Sequence, residues 1–175
     1  RQYYLEQARS FVWGQQPTLA NFLPRHLDQR PEETAYVMRL ARVRKLGAKY
    51  LLHGEFLRPP ELNVPEVTSD FSRLSIYAGQ KSRLTSSRKR HPLAIAGAWR
   101  APDGDVGIAL ASLADEPLAL ALTLDPTEVA LPERGQIHRI DESGRYVLGP
   151  VADDGSLPRL ELPPREAWIV EVSKN

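Results

Sequence analysis

The stretch from Leu93 to Leu124, LAIAGAWRAPDGDVGIALASLADEPLALALTL, restricts the fold more than any other part of the chain. It reads as three consecutive antiparallel strands joined by two tight turns. In the last run Leu118, Leu120, Leu122 and Leu124 alternate with Ala119, Ala121 and Thr123, the period of two that belongs to a strand. Successive strand side chains point to opposite faces, so leucines line one side and small residues the other. The segment Ala101-Pro-Asp-Gly-Asp105 supplies a proline of fixed φ and a glycine able to take positive φ, which a tight reversal requires. Asp115-Glu-Pro117 closes the second hairpin with polar residues and a proline at the strand entrance. A sheet forming the core of the second half is the expectation.

The first half has a different rhythm. Arg1 to Arg9 reads as the end of an amphipathic helix with Tyr4, Leu5 and Ala8 on one side. Ser10-Phe-Val-Trp-Gly14 reads as a short buried strand of a parallel sheet, and Gln15 to His26 as a loop broken by Pro17 and Pro24. A second helix is signposted by Pro31 at its first position and by Glu32 and Glu33 at its positive end. Val37, Met38, Leu40, Ala41 and Leu46 supply its apolar stripe, and Gly47 its cap. Ser82 to His91, polar and basic, reads as an exposed loop. Gly135–Ile140 is expected to pair with Arg145–Leu148 across Asp141-Glu-Ser-Gly144, and Leu157–Leu162 and Ala167–Val172 to finish the sheet. The fold class that follows is α+β: a helical/αβ segment over residues 1–60, then an antiparallel β-sandwich over residues 61–175.

Several function classes drop out. There is no cysteine, which removes disulfides, thiolate metal sites and cysteine nucleophiles and leaves the compartment open. No apolar run approaches the ~18 residues of a membrane span. The four histidines, His26, His53, His91 and His138, are too far apart for a metal motif, and no phosphate-binding glycine loop or nucleophile elbow occurs, so neither metal nor cofactor is implied. Asp103 and Asp105 beside Gly104 read as a solvated turn in preference to a calcium site. Glu55, Glu61, Glu66 and Asp70 read as structural carboxylates, because their spacing does not set two of them across a cleft. Residues 1–92 hold 16 Lys and Arg against 8 Asp and Glu, a net +8, whereas residues 93–175 carry 7 against 14, a net −7. The basic half invites a nucleic-acid contact through Lys81–Arg90. No aromatic residues interleave those positions as single-strand binding needs, which disfavours it.

Phe11-Val-Trp-Gly-Gln-Gln-Pro17 alone has functional colour. An indole can stack on a sugar face, and the amides of Gln15 and Gln16 can both donate to and accept from hydroxyls. Trp13, Gln15 and Gln16 are therefore the candidate substrate-binding residues; the alternative is a core tryptophan with two loop-capping glutamines. The segment SFVWGQQPTLANF, then KYLLHGEFLRPPEL and a strand-rich tail ending LPPREAWIVEV, resembles the C-terminal part of large bacterial glycoside-hydrolase-like proteins. The resemblance is to an uncharacterised family with a predicted (β/α)8 barrel followed by a β-sandwich. It implies that residues 1–60 are the tail of the barrel, that the sandwich braces the barrel, and that the catalytic carboxylates lie on earlier strands, so this piece has no complete active site. The implied partners are carbohydrate and the remainder of the same polypeptide; lacking an initiating Met, Arg1 reads as a cut end. On this reading an apolar face around Phe11 and Val12 is expected to be exposed. The alternative is a free-standing β-sandwich, binding carbohydrate or protein, with its helical part packed against its own sheet.

Overall fold

The computed structural model describes residues 1–16, 22–75, 83–124, 129, 131, 135–152 and 156–174. Among the described residues four helices come first: α1 (Gln2–Val12), α2 (Arg25–Gln29), α3 (Pro31–Leu46) and α4 (Ala48–Leu51). The strands follow as β1 (Glu55–Leu57), β2 (Glu61–Leu62), β3 (Glu66–Ser75), β4 (Arg83–Pro92), β5 (Ala94–Arg100) and β6 (Val106–Ser112). Beyond these lie β7 (Leu118–Leu120), β8 (Leu122–Thr123), β9 (Gly135–Asp141), β10 (Gly144–Pro150), β11 (Leu160–Leu162) and β12 (Ala167–Lys174). Mostly antiparallel sheet with a few helices, the chain is of the α+β class. Among the described residues no helix is long and apolar enough to cross a membrane.

Six strands form the central sheet in the order β1-β5-β6-β12-β9-β10, every neighbouring pair antiparallel. Its two faces carry different residues and therefore take different cover. On one face Ala109, Ala111, Ala167 and Ile169 meet Leu5, Ala8 and Phe11 of α1 and Leu40 and Val43 of α3. Small side chains there let helix backbone approach closely. A Cβ at Gly97 would stand 2.2 Å from the Val12 carbonyl oxygen, and one at Gly107 would stand 2.5 Å from the Tyr50 ring. On the other face Ile108, Leu110, Trp168, Val170 and Val172 meet the leucines of two ribbons. The ribbons pair β7 with β11 and β2 with β8. A third pair, β3 with β4, is a long hairpin in register from Glu66↔Pro92 to Ser75↔Arg83.

Several sequence expectations match the chain directly. The helix from Pro31 starts with proline in its first turn, with Glu32 and Glu33, and ends at Gly47. The β5–β6 and β9–β10 hairpins form with the expected turns. Leu118, Leu120 and Leu122 face the core, while Ala119 and Ala121 face solvent.

Five expectations are corrected. Ser10 to Val12 is not a parallel strand: α1 continues through it, because Tyr4, Leu5, Ala8, Phe11 and Val12 form one helical stripe under the sheet. Phe11 and Val12 are consequently 0% and 1% exposed, so no apolar face opens there. The leucine run is not the third strand of the β5–β6 sheet. The free edge of β6 goes to β12, and the run crosses to the other layer, where its leucines cover the large side chains of β6 and β12. Residues 83–92 of the expected basic loop form β4, with ten paired positions to β3. Within α3, Met38, Ala41 and Leu46 of the expected stripe are exposed, and Tyr36 and Val43 take their places in the core.

Candidate functional site

The C-terminal end of α1 is held unusually firmly. The Trp13 N–H donates to the Arg9 carbonyl at 3.0 Å, that of Gly14 to Phe11 at 3.0 Å, and that of Gln15 to Ser10 at 2.8 Å. Gly14 has φ +69°, the left-handed conformation that lets a helix close its last carbonyls in this pattern. Tertiary bonds then pin the turn. The Trp99 indole Nε1 donates to the Val12 carbonyl at 3.1 Å, and Arg44 donates to the Gly14 carbonyl at 3.2 Å. Trp99 also stacks edge-on against Phe56, with ring centroids 4.8 Å apart.

Trp13 stands on this fixed turn with half its surface in solvent, whereas Trp99 and Trp168 are 7% and 6% exposed. It borders a cleft of about 390 Å³ between the end of α1, the β2 region and the start of β5. Leu62, Val64 and Ile95 give apolar walls, and Arg9 and Glu66 add the charged groups. An apolar concavity with a few placed polar groups suits a small organic ligand, and an exposed indole face suits the C–H side of a pyranose ring. Gln15 and Gln16 are exposed on the chain just beyond the turn and are not part of the cleft lining. In the sequence Arg9 was read only as the end of a helix, and Glu66 as one of four structural carboxylates; neither was expected beside Trp13. Arg9 was findable, since it stands one helical turn before Trp13 once residues 2–12 are read as helix; Glu66 arrives from a distant strand.

The other chemically suggestive groups are structural ties. Ser69 Oγ donates to His91 Nε2 at 2.9 Å, and His91 Nδ1 donates to the Pro92 carbonyl at 3.0 Å. A carbonyl only accepts, so the proton sits on Nδ1 and Nε2 is the acceptor. The polarity is that of a serine and its base, yet both residues are buried and the bond serves to fasten the hairpin. Glu171 is buried at the far end of the helix-facing side of the sheet. The Tyr50 hydroxyl donates to it at 2.6 Å, Arg145 Nε donates at 2.6 Å, and Lys49 lies 3.5 Å away. Burial raises its pKa, but these hydrogen bonds and positive charges outweigh burial and hold it below its ordinary value. Burial, then the adjacent Arg145, lowers His138, whose Nδ1 accepts from Arg145 at 3.0 Å.

Asp103 and Asp105 hold an ammonium where a metal could have sat: Lys49 Nζ lies 3.2 and 2.6 Å from them. No group of three metal-capable side chains occurs among the described residues. Asp70 pairs with Arg88 at 3.0 Å, Glu66 pairs with Arg90, and Glu55 lies 3.9 Å from Arg100.

No family model matches the chain, and no curated protein matches it. Among solved structures it is similar to a protein from Bacillus halodurans C-125 named "putative alpha-N-acetylgalactosaminidase", at 17% identity and a TM-score of 0.49. The alignment covers 97% of this chain and 30% of that one, so the chain spans less than a third of that protein's length.

Proposed function

We propose that this chain is the C-terminal portion of a carbohydrate-active, glycoside-hydrolase-like protein that contacts saccharide through Trp13. In this reading Trp13 supplies the stacking surface and Arg9 and Glu66 engage hydroxyls in the cleft, while Gln15 and Gln16 reach hydroxyls beyond it. The sheet braces a catalytic barrel, and the piece has no complete active site of its own. The observation that carries the saccharide contact is the exposed indole on a backbone fixed by Gly14, Trp99 and Arg44. A rigid aromatic platform loses little conformational entropy when a ligand settles on it.

A second reading has an observation of its own. Phe11 and Val12 are sealed against the sheet of the same chain, which favours a free-standing carbohydrate-binding or protein-interaction module with an integral helical layer. Both readings place sugar at Trp13 when the ligand is a saccharide.

The test is a titration of the 175-residue chain with neutral and acidic oligosaccharides, followed by tryptophan emission. With Trp99 and Trp168 buried, the change reports Trp13. Trp13→Ala should remove the optical response and weaken binding, measured by calorimetry, about tenfold or more, the scale of one stacking contact. Calorimetric affinity unchanged in Trp13→Ala would exclude the site.

A further inference from the structure

Beside the Trp13 cleft, a groove of about 630 Å³ separates the outward face of α1 from the β3–β4 hairpin. Its width is set by a specific clasp. The Gln2 side-chain amide donates to the Ser72 carbonyl at 2.9 Å and accepts from the Ser72 N–H at 2.8 Å, docking the hairpin on the helix as another strand would. Beneath it lie the buried His91 and the half-buried Phe71, whose rings meet edge-on at 5.9 Å. The groove is thus a formed feature with an aromatic floor.

Its walls are strongly cationic. Arg9, Arg73 and Lys89 line it, are exposed, and make no ion pair among the described residues. Arg90, which also lines it, is paired with Glu66. Glu6 is the carboxylate in the lining, and it accepts from Gln2 at 2.8 Å. Thr85, Ser86 and Ser87 add a row of hydroxyls along β4. The groove adjoins the Trp13 cleft: Arg9 lines both, and Glu66 of the cleft pairs with Arg90 of the groove.

We infer that the saccharide stacked on Trp13 runs past Arg9 into this groove and is an acidic oligosaccharide, its carboxylate or sulfate groups meeting Arg9, Arg73 and Lys89. The inference deepens the reading of the Trp13 cleft and rests on it. Three uncompensated cations spaced along a hydroxyl-lined channel match a chain of regularly spaced anions, and guanidinium groups grip planar carboxylates in two-point fashion. Nucleic acid fits less well, because among the described residues the groove's own lining offers only the half-buried Phe71, which leaves Trp13 as a single stacking platform where a strand of bases needs several.

The experiment is calorimetry of the 175-residue chain against four probes: hexagalacturonate, the neutral galactan hexasaccharide, a sulfated heparin-derived hexasaccharide and single-stranded dT10. Hexagalacturonate or the sulfated probe should bind about tenfold or more tighter than the neutral one, with the advantage shrinking as salt is added. Which of the two binds tighter identifies the anionic group. The double variant Arg73→Glu with Lys89→Glu, both at exposed positions and checked by an unchanged melting curve, should drop the acidic probe to the neutral level. Equal affinity for neutral and acidic probes, or dT10 as the tightest ligand, overturns the inference. Charge reversal without effect on acidic-probe affinity also overturns it while leaving the Trp13 reading intact. Trp13→Ala without effect, alongside a strong charge-reversal effect, keeps the groove and removes the Trp13 reading.

Discussion

Glu171 shows how one buried carboxylate fastens a helix to the edge of a sheet. It sits on β12 near its C-terminal end, and its two oxygens take a hydrogen bond from Tyr50 of α4 and one from Arg145 of β10. An ionised carboxylate in such a place costs several kcal/mol of desolvation unless partners replace the lost water. Here they do, which is why its pKa falls below 4.5 despite burial. A depressed folded-state pKa means the unfolded chain takes up the proton first as pH falls. The carboxylate's contribution is therefore complete above 4.5 and is lost as pH drops through the lower folded value. His138, lowered from 6.5 by burial and then by Arg145, acts in the same sense, since its neutral form is the native one and its contribution erodes on acidification below 6.5. Urea midpoints measured from pH 8 to pH 3 should fall on the acid side. Glu171→Gln should lower stability at pH 7 by about 1–3 kcal/mol, because Arg145 and Lys49 can partly rehydrate when left unpaired. It should also flatten the curve below 4.5; a curve of unchanged slope would exclude Glu171 as a source of the acid dependence.

At the level of elements, the architecture turns on how closely α1 can lie against β5. The strand reads AIAGAWR, and its helix-facing positions are Ile95, Gly97 and Trp99. Gly97 leaves room for the Val12 carbonyl, and Trp99 reaches over to bond that same carbonyl. Gly97→Ala puts a methyl 2.2 Å from a backbone oxygen, a contact that no side-chain rotation relieves. The end of α1 must lift. A loss of about 1–3 kcal/mol is expected from overpacking of this kind, measured as a shift in the denaturant midpoint. Because the lifted end carries Trp13, saccharide affinity should fall in the same variant. Full affinity in a destabilised Gly97→Ala chain would show that the turn tolerates displacement and that its rigidity is unimportant for binding.

Across the whole molecule, helices and strands share one core. Tyr4, Phe11, Leu40 and Tyr50 from the first 60 residues bury themselves against Trp99, Ala109 and Ile169 from the rest. Helical circular dichroism at 222 nm and the near-ultraviolet signal of Trp99 and Trp168 should therefore be lost at the same midpoint, as in two-state unfolding. A helical transition separated from the tryptophan transition would divide the chain into independent units near residue 60. What the sequence determined by itself was local: the α3 boundaries from Pro31 and Gly47, the hairpin turns at Ala101–Asp105 and Asp141–Gly144, and the leucine face at 118–122. Each depends on a residue's own backbone preference or on a short period, and both are written in neighbouring residues. Trp13 could likewise be singled out from its flanking Gly14 and glutamines. Tertiary structure alone decided that Phe11 and Val12 end a helix, since a short apolar run suits either period until something packs against it. It also decided that β12 takes the edge of β6, and that Arg9 and Glu66 line one cleft beside Trp13. Those outcomes depend on which distant surfaces fit together, and strand order and cleft lining have no signature in local spacing.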